Sequence, residues 1–413
     1  MGTLFKVLTV FAASVVALQA QSYRFGHVWD GEKLLTNAVV VVENGRIKSV
    51  GPSSGEGIDL TRYTAVPGLI DAHTHKTFVL AKTLDLLTPP GRSSAMVYLS
   101  QDAARKTLEA GVTTVRNLNA QNYDDIAMRD LINAGLMVGP RMLVFGAGLH
   151  IGATPRPVGA PINPADPAAA DGPAEVMKAV RRQVAAGVDV VKMFGSTGSG
   201  QDVTGFQTFT YDEMKAAVDA AHALGKKIAI HTYGPAGARD AVRSSADSVE
   251  HATDMDDETI QEMARKKIFY VPTIDHNRYY ADNAALLGYP PDAVGSLNDF
   301  IARNLETARE AFHAGVRFAM GSDAVRTMFG ENTRELGWFV KAGMTPEQAL
   351  TTATVDGAAL LGMGDKLGYL RPGYFADIAA IEGNPLQDIN AVIHNVRWVM
   401  KDGVVAVDKT KGK

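Results

Sequence analysis

The long middle of the chain alternates short apolar runs with amphipathic helical patterns, and this alternation restricts the possible folds more than any other feature. Such an alternation is typical of βα units, in which helices connect parallel strands. Helical patterns cover, for example, residues 211–224 and 346–361. We identify eight candidate strands, over residues 65–72, 112–117, 141–146, 188–194, 227–231, 248–251, 268–273 and 317–322.

Eight βα units over ~250 residues predict an α/β fold in which the parallel strands close into a (β/α)8, or TIM, barrel. An open doubly wound sheet is the alternative. It is disfavoured because no G-x-G-x-x-G sequence stands where a predicted strand turns into a helix. In a barrel the carboxyl ends of all strands meet at one face, which holds the active site in enzymes of this fold.

Both ends of the chain are rich in short β patterns. Asn44-Gly45 and Asp402-Gly403 each stand between two such patterns and are typical of tight hairpin turns. We therefore expect residues 21–66 and 368–413 to form one small composite β-sandwich domain. The TIM barrel would then occupy residues 67–367.

The first twenty residues resemble a secretory signal. Lys6 precedes an apolar run over residues 7–18, which is shorter than the ~20 residues that a membrane-spanning helix needs. Ala20 fits a cleavage site only in part, because Leu18 is not a small residue. A buried first strand or helix is the alternative. The pattern predicts a signal peptide over residues 1–20 and export to the periplasm or the medium, with no stable membrane insertion after its removal.

Composition excludes several kinds of chemistry. The chain has no cysteine, so it has neither disulfides nor thiolate ligands, and any metal must be held by nitrogen and oxygen atoms. The formal net charge of −4 gives no basic excess for nucleic acid or for an anionic membrane. A small-molecule substrate is the expected partner.

Histidine and aspartate residues stand at the ends of several predicted strands. His73 and His75 end the first strand, and side chains two apart on a strand share one face. His231, His251 and Asp323 end or directly follow the fifth, sixth and eighth strands. Neutral imidazole and carboxylate are good ligands for zinc, manganese, iron or cobalt. The barrel mouth is therefore a predicted metal site.

Lys192 lies near the end of the fourth predicted strand, between Val191 and Met193. An ammonium group in such an apolar strand is costly unless it is paired or neutralised. A salt bridge to a nearby carboxylate is one solution. Reaction with carbon dioxide is the other, because the resulting carbamate is anionic and can bridge two cations.

Two further histidines and one long loop stand near the same face. His150 and His276 follow the third and seventh strands, where they either line the pocket or belong to ordinary loops. Residues 150–173 are rich in Pro, Gly and Ala, and long loops of this kind are often lids or substrate walls. Arg156 in this loop either binds a substrate carboxylate or, as is favoured, faces solvent.

The complete set of strand-end residues resembles the binuclear amidohydrolase superfamily over essentially the whole chain after residue 20. Residues 343–350 resemble the helix after the eighth strand, and residues 368–377 resemble the return into the composite β domain. Within the superfamily the chain resembles the prolidase-like or imidazolonepropionase-like branch. This branch includes Xaa-Pro and Xaa-Lys/Arg dipeptidases and ochratoxin-hydrolysing amidases.

The resemblance implies a role for each residue. Two divalent metal ions, with zinc expected, would be bound by His73, His75, Lys192, His231, His251 and Asp323, with carbon dioxide present as a carbamate on Lys192. A hydroxide that bridges the metals would attack the scissile carbonyl. Asp323 would move its proton to the leaving amine, and Tyr233 would hydrogen-bond the carbonyl or a substrate carboxylate. The family is often multimeric, so a homo-oligomer is expected.

The expected reaction is hydrolysis of the amide bond of a dipeptide, an N-acyl amino acid or an ochratoxin-like amide. One departure weakens the dipeptidase assignment, because His150-Ile151-Gly152 replaces the Gly-Gly-His-Gly type of stretch that prolidase-like members often carry. A cyclic-amide hydrolase is one alternative. A mononuclear deaminase is another, although residues 231–234 lack the glutamate of the His-x-x-Glu pattern. A non-catalytic metal-binding barrel is the last.

Overall fold

The structure is a computed structural model that describes residues 20–77, 93–120, 123–150, 168–199, 203–290 and 292–411. Residues 1–19 of the predicted signal segment lie outside the described residues, as do residues 151–167 of the loop predicted to form a substrate wall. None of the described helices is both long enough and apolar enough to cross a lipid bilayer.

The described residues form strands and helices in the alternating order that the sequence predicts. The strands are β1 (Gln21–Trp29), β2 (Leu34–Glu43), β3 (Arg46–Pro52), β4 (Ile58–Pro67), β5 (Leu69–Thr74), β6 (Val112–Asn117), β7 (Arg141–Leu143), β8 (Val190–Phe194), β9 (Lys227–Thr232), β10 (Ser248–His251), β11 (Phe269–Val271), β12 (Arg317–Phe318), β13 (Ile378–Ile381), β14 (Val396–Lys401) and β15 (Val404–Asp408). The helices are α1 (Ser93–Glu109), α2 (Asp124–Asn133), α3 (Pro173–Ala185), α4 (Tyr211–Ala223), α5 (Pro235–Ser244), α6 (Asp257–Lys266), α7 (Ile274–Asp282), α8 (Ala284–Leu287), α9 (Ala293–His313), α10 (Glu335–Lys341), α11 (Pro346–Thr352), α12 (Val355–Leu360) and α13 (Asn390–His394). Two short 3-10 helices, Arg326–Met328 and Asn332–Arg334, precede α10.

Strands from both ends of the chain share one seven-stranded sheet, in the order β15-β14-β13-β4-β1-β2-β3. The sheet curls strongly. Tyr23 of β1 and Trp398 of β14 are three strands apart, which is ~14 Å in a flat sheet, yet their ring centroids are 5.3 Å apart. The two rings belong to one buried apolar cluster. The sheet therefore encloses a small core of its own.

Both predicted hairpin turns are confirmed. Asn44 and Gly45 have φ angles of 50° and 75° and connect β2 to β3. Asp402 and Gly403 have φ angles of 51° and 78° and connect β14 to β15. Positive φ at both central residues matches the right-handed twist of the flanking strands, which explains why Asn-Gly and Asp-Gly occur there.

Strands β5 to β12 are parallel and occur as two sheets, β5-β6-β7 and β12-β11-β10-β9-β8. The two sheets adjoin at both edges. Leu149 N donates to Lys192 O at 3.0 Å, which connects the segment after β7 to β8. Asp323 N donates to His73 O at 2.7 Å, which connects the segment after β12 to β5. Beside this second junction, Ser322 N donates to Asp71 Oδ1 at 2.9 Å, although the two residues are 251 positions apart.

The strands predicted over residues 141–146, 268–273 and 317–322 are shorter in the structure, as β7, β11 and β12. Two other predicted elements are divided, for identifiable reasons. The first predicted strand, residues 65–72, is divided between β4 of the seven-stranded sheet and β5. The break falls at Gly68, where a Cβ atom would lie 2.3 Å from Thr113 Oγ1. The helix predicted over residues 346–361 is divided into α11 and α12. Carbonyls of Thr352 and Ala353 accept hydrogen bonds from Met320 N and Ile70 N, so strand backbone replaces the helical donors at this point.

A buried ion pair joins the seven-stranded sheet to the parallel strands, and its removal should destabilise the protein. Arg141 of β7 donates to Asp377 at 2.7 Å and also contacts Asp402. Because Arg141 would keep only the partly exposed Asp402 as a partner, we expect Asp377→Ala to lower the free energy of unfolding by ~2–4 kcal/mol, slightly below the ~3–5 kcal/mol that breaking a fully buried pair costs. Urea denaturation measures this change. Asp408→Ala, an exposed position on β15, should leave the midpoint almost unchanged. A similar midpoint for both variants would contradict the assigned importance of the pair.

Candidate metal centre

Five buried side chains stand at or directly after the carboxyl ends of the parallel strands. Because these ends lie at one face, the side chains converge although they are far apart in the chain. They are His73 of β5, Lys192 of β8, His231 of β9, His251 of β10 and Asp323 after β12, and each is at most 6% exposed.

The carboxylate of Asp323 is the centre of this cluster. Its Oδ1 atom lies 2.7 Å from His75 Nε2 and 3.6 Å from His73 Nε2. Its Oδ2 atom lies 3.3 Å from His276 Nε2 and 4.0 Å from His251 Nδ1. One carboxylate thus contacts four imidazoles that come from β5, β10 and the beginning of α7.

The imidazole rings pack edge to face around the same space. The centroid of His251 lies 4.5 Å from that of His231 and 5.0 Å from that of His73. Tyr233 covers this group, since its ring lies 4.9 Å from His251 and stacks on Phe300 at 4.8 Å. The position of the Tyr233 ring is therefore fixed by packing on two sides.

Strained backbone turns two of these side chains towards the cluster. His251 and Asp323 have φ angles of 69° and 50°, and Thr273, which contacts His251 Nδ1 at 2.6 Å, has a φ of 52°. Residues other than glycine rarely adopt this left-handed conformation, and where they do the strain often accompanies a functional site. In a regular strand, neighbouring side chains point to opposite faces, so His251 and its neighbour Glu250 would lie on different sides of the sheet.

Burial keeps three histidines of the cluster, His73, His231 and His251, neutral. It lowers the pKa of His231 to about 3, with the charge of Lys192 acting in the same direction. It also holds the pKa values of His73 and His251 well below the usual range of histidine. Neutral imidazole is the form that binds a metal ion, so the histidines need not lose a proton at neutral pH before they bind one.

The pKa values of the two charged members of the cluster, Asp323 and Lys192, depend on burial and on neighbouring charges in different ways. Burial raises the pKa of Asp323, but the neighbouring imidazoles of His276, His73 and His75 outweigh burial and hold it far below the usual range. Burial lowers the pKa of Lys192 to about 8, against the opposing effect of Glu250 and Asp323. Among the described residues, no carboxylate lies within ion-pair distance of Lys192, and its Nζ atom has no hydrogen-bond partner. A salt-bridged lysine is thus not supported.

The donor set fits a divalent metal ion. His73, His251 and Asp323 each offer a ligand atom, and these atoms lie within 4.8 Å of one another. Within the described part of the chain, the buried Nε2 atoms of His73 and His231 also have no hydrogen-bond partner. Unpaired buried acceptors are costly, and a metal ion would satisfy them.

The structure brings together all six residues that were predicted as ligands, together with Tyr233. Their roles as ligands, and their division between two ions, stay predictions. His276, for which two interpretations were open, contacts Asp323 and is 5% exposed. Glu250 was missed, although its Oε2 atom lies 2.7 Å from Nδ1 of His73. A charged residue in a short buried strand is the signal that could have identified it.

Comparison with known sequences identifies relatives over most of the chain. A sequence profile described as the amidohydrolase family matches residues 64–406. Ochratoxinase of Aspergillus niger is 31% identical over 395 residues, which cover 87% of this chain and 80% of the relative. Imidazolonepropionase of Streptomyces avermitilis is 26% identical over 373 residues, which cover 84% of this chain and 81% of the relative.

Solved structures show the same relationship. A Xaa-Pro dipeptidase with methionine bound in its active site has a TM-score of 0.85 to this chain at 30% sequence identity. The match covers 94% of this chain and 99% of the dipeptidase. The structural similarity thus extends over the seven-stranded sheet as well as the parallel strands.

Proposed function

Since the chain belongs to the amidohydrolase family, we propose that it hydrolyses an amide or peptide bond of a small substrate at the cluster around Asp323. The observation that carries this proposal is the convergence of four imidazoles on one ionised, buried carboxylate. The candidate substrates are dipeptides, N-acyl amino acids and ochratoxin-like amides. The relatives named for ochratoxin and for Xaa-Pro dipeptides support these classes.

The family generally uses divalent metals, and His73, His251 and Asp323 present ligand atoms within 4.8 Å of one another. His73, His75, His231, His251, Asp323 and a carboxylated Lys192 would hold two zinc ions. When bound, such ions polarise the scissile carbonyl and lower the pKa of an attacking water. Carbamate formation needs the neutral amine, and a pKa of about 8 leaves ~10% of Lys192 in that form at pH 7.

Asp323 and its neighbours would move the proton of the reaction. The carboxylate is ionised at neutral pH, so it can accept the proton that the attacking water loses and then return it to the leaving nitrogen. The ring of His276, 3.3 Å from Oδ2, limits the rotation of this carboxylate. The same ring contacts the backbone carbonyl of Asp323 at 2.8 Å.

Tyr233 would bind an oxygen of the substrate, either the scissile carbonyl or a carboxylate. A hydrogen bond to a charged oxygen contributes ~1.5–3 kcal/mol, so Tyr233→Phe should lower kcat/KM by ~10–100-fold while the ring still stacks on Phe300. Steady-state kinetics on the metal-loaded protein measures this change. Tyr279→Phe is the matched control, because the Tyr279 hydroxyl contacts Thr327 and lies outside the cluster. Equal kcat/KM values for the two variants would remove Tyr233 from the site.

We further propose that the eight parallel strands close into a (β/α)8 barrel over residues 67–367. The backbone hydrogen bonds that connect β7 to β8 and β12 to β5 support this closure. The composite β-sandwich domain, from residues 21–66 and 368–413, is supported by the curled sheet that both ends of the chain share.

Export and oligomer formation complete the proposal. Cleavage after Ala20 predicts a mature N-terminus at Gln21, which N-terminal sequencing of the protein from its native host would reveal. An intact N-terminus would contradict export by this route. Light scattering of the purified protein would distinguish a homo-oligomer from a monomer.

A substrate screen tests the proposed reaction. Metal-loaded protein is incubated with a library of dipeptides and N-acyl amino acids, and the release of amines, primary or secondary, and of ammonia is measured separately. We expect amine release without ammonia. Ammonia release as the main product would favour a deaminase instead, and no turnover with two bound metals would favour a binding protein.

A cyclic-amide hydrolase is the second candidate. The match to an imidazolonepropionase over 84% of the chain favours it, because that relative is named for a ring-shaped imidazolone. Ring opening leaves both new groups in one molecule, so mass spectrometry would show a single product that is one water heavier than the substrate. Hydantoins and lactams therefore belong in the same screen.

A further inference from the structure

We propose that Glu250 and Arg116 are positioning residues for the metal centre. They form a buried charge pair that holds the proton of His73 on Nδ1 and leaves Nε2 free to bind the metal. This inference rests on the proposed function, because it assigns His73 a ligand role. It concerns two residues that lie below the cluster and would touch neither substrate nor metal.

Glu250 lies in β10, directly before His251, and is completely buried. Its Oε2 atom lies 2.7 Å from Nδ1 of His73. Its other oxygen, Oε1, accepts from Arg116 at 2.8 Å and from the hydroxyl of Ser248. Oε2 thus contacts the histidine, and Oε1 contacts the arginine.

Arg116 lies in β6 and is 1% exposed. Besides Glu250, it donates from NH1 to Ser248 Oγ at 2.9 Å and from Nε to the carbonyl of Ala72. Ala72 directly precedes His73 in β5. One guanidinium group therefore connects three strands, β5, β6 and β10, immediately below the first histidine of the cluster.

The geometry determines which nitrogen of His73 carries the proton. An ionised carboxylate only accepts hydrogen bonds, so Nδ1 of His73 must donate. A neutral imidazole has one N–H group, and Nε2 then presents its lone pair. This Nε2 atom is buried and lies 3.6 Å from Asp323 Oδ1, with no hydrogen-bond partner among the described residues. The proton is thus placed on the side away from the predicted metal.

Arg116 matters because its positive charge compensates the carboxylate of Glu250, which is the second buried carboxylate beside His73 after that of Asp323. The 2.8 Å contact between Arg116 and Oε1 pairs the carboxylate with a cation whose nitrogen atoms only donate hydrogen bonds. The pair therefore acts on the metal through His73, as the carboxylates behind metal-bound histidines generally do.

Glu250→Gln tests the inference, because one amide oxygen cannot serve both partners. Arg116 donates only, so it should take that oxygen and turn the amide NH2 group towards His73 Nδ1. This would move the histidine proton to Nε2. We expect metal affinity, measured by chelator competition, to fall by ~10–100-fold. The visible absorption bands of the cobalt-substituted protein should change as well.

A second substitution separates positioning from a merely structural role. In Glu250→Gln/Arg116→Met the amide is free to present its oxygen to His73, and no unpaired charge remains. We expect this double variant to regain most of the metal affinity and the wild-type cobalt spectrum. If the pair were only structural, replacing both residues would restore neither the metal affinity nor the cobalt spectrum.

Glu335→Gln is the matched control, because Glu335 is equally buried but, among the described residues, accepts only from the backbone of Ile274 and Asp275. It should bind metal as the wild type does, whatever its stability. Wild-type affinity and spectrum in Glu250→Gln, or a double variant no better than the single one, would overturn the inference. Failure of the wild-type protein to bind metal would instead overturn the proposed function.

Discussion

Replacing Asp323 with asparagine is expected to lower kcat by ~10²–10⁴-fold, the contribution that a group moving a proton in the transition state usually makes. Asparagine has nearly the same shape, but its amide cannot accept a proton at neutral pH. Asp323 is the carboxylate that lies between four imidazoles. None of the other predicted ligands is a carboxylate that could replace it. The measurement is kcat of the metal-loaded variant on the best substrate from the screen.

Two further measurements make this result specific. Metal content shows whether the variant has lost an ion instead of a base, and calorimetry shows whether substrate still binds, as we expect. Asp247→Asn is the control, since Asp247 pairs with His222 and Lys227 at the opposite ends of the strands. Turnover of Asp323→Asn close to that of this control would exclude Asp323 from the mechanism.

Lys192→Ala should lose bound metal and reduce activity by more than ~100-fold, because even residues one step behind a ligand cost 10–100-fold when they are changed. The side chain is almost fully buried and has no ion-pair partner among the described residues, and the proposed carbamate would explain this position. Metal analysis after loading in bicarbonate measures the loss. If Lys192→Ala retains two metals without added ligand, the bridging role is wrong.

Chemical rescue distinguishes the carbamate from the amine. Short carboxylic acids should partly restore metal binding and activity to Lys192→Ala, because they can occupy the space that the side chain leaves. Lys192→Met fills that space with an apolar chain, so the same acids should not rescue it. Labelled bicarbonate should give a carbamate carbon signal by NMR in the wild-type protein and none in either variant.

The residues at the strand ends could be predicted because the carboxyl ends of parallel barrel strands all lie at one face. A residue at the end of a strand in the sequence therefore has a known place in the fold. Once the strands were identified, His73, His231, His251 and Asp323 had to share a face, and the structure places them together. The hairpin turns at Gly45 and Gly403 were predictable for a local reason, since only a few residue pairs tolerate two positive φ angles.

Glu250 was missed because alternation along a strand places neighbouring residues on opposite sides. Assigning His251 to the cluster therefore excluded Glu250. Both side chains reach His73 only because His251 departs from strand geometry, with its φ of 69°. The break in the helix over 346–361 has a similar origin, since it depends on which strand amides approach Thr352 and Ala353. Such contacts between distant segments leave no periodic signal.

The junction between β5 and the segment after β12 has a consequence for biosynthesis. It holds His73 against Asp323 and Asp71 against Ser322, and the latter two are 251 residues apart. A chain made from its N-terminus exposes His73 long before Asp323 leaves the ribosome. His73 and His75 therefore remain without the carboxylate of Asp323 for most of translation. Contacts this distant also slow folding, so the metal centre should be among the last parts of the molecule to mature.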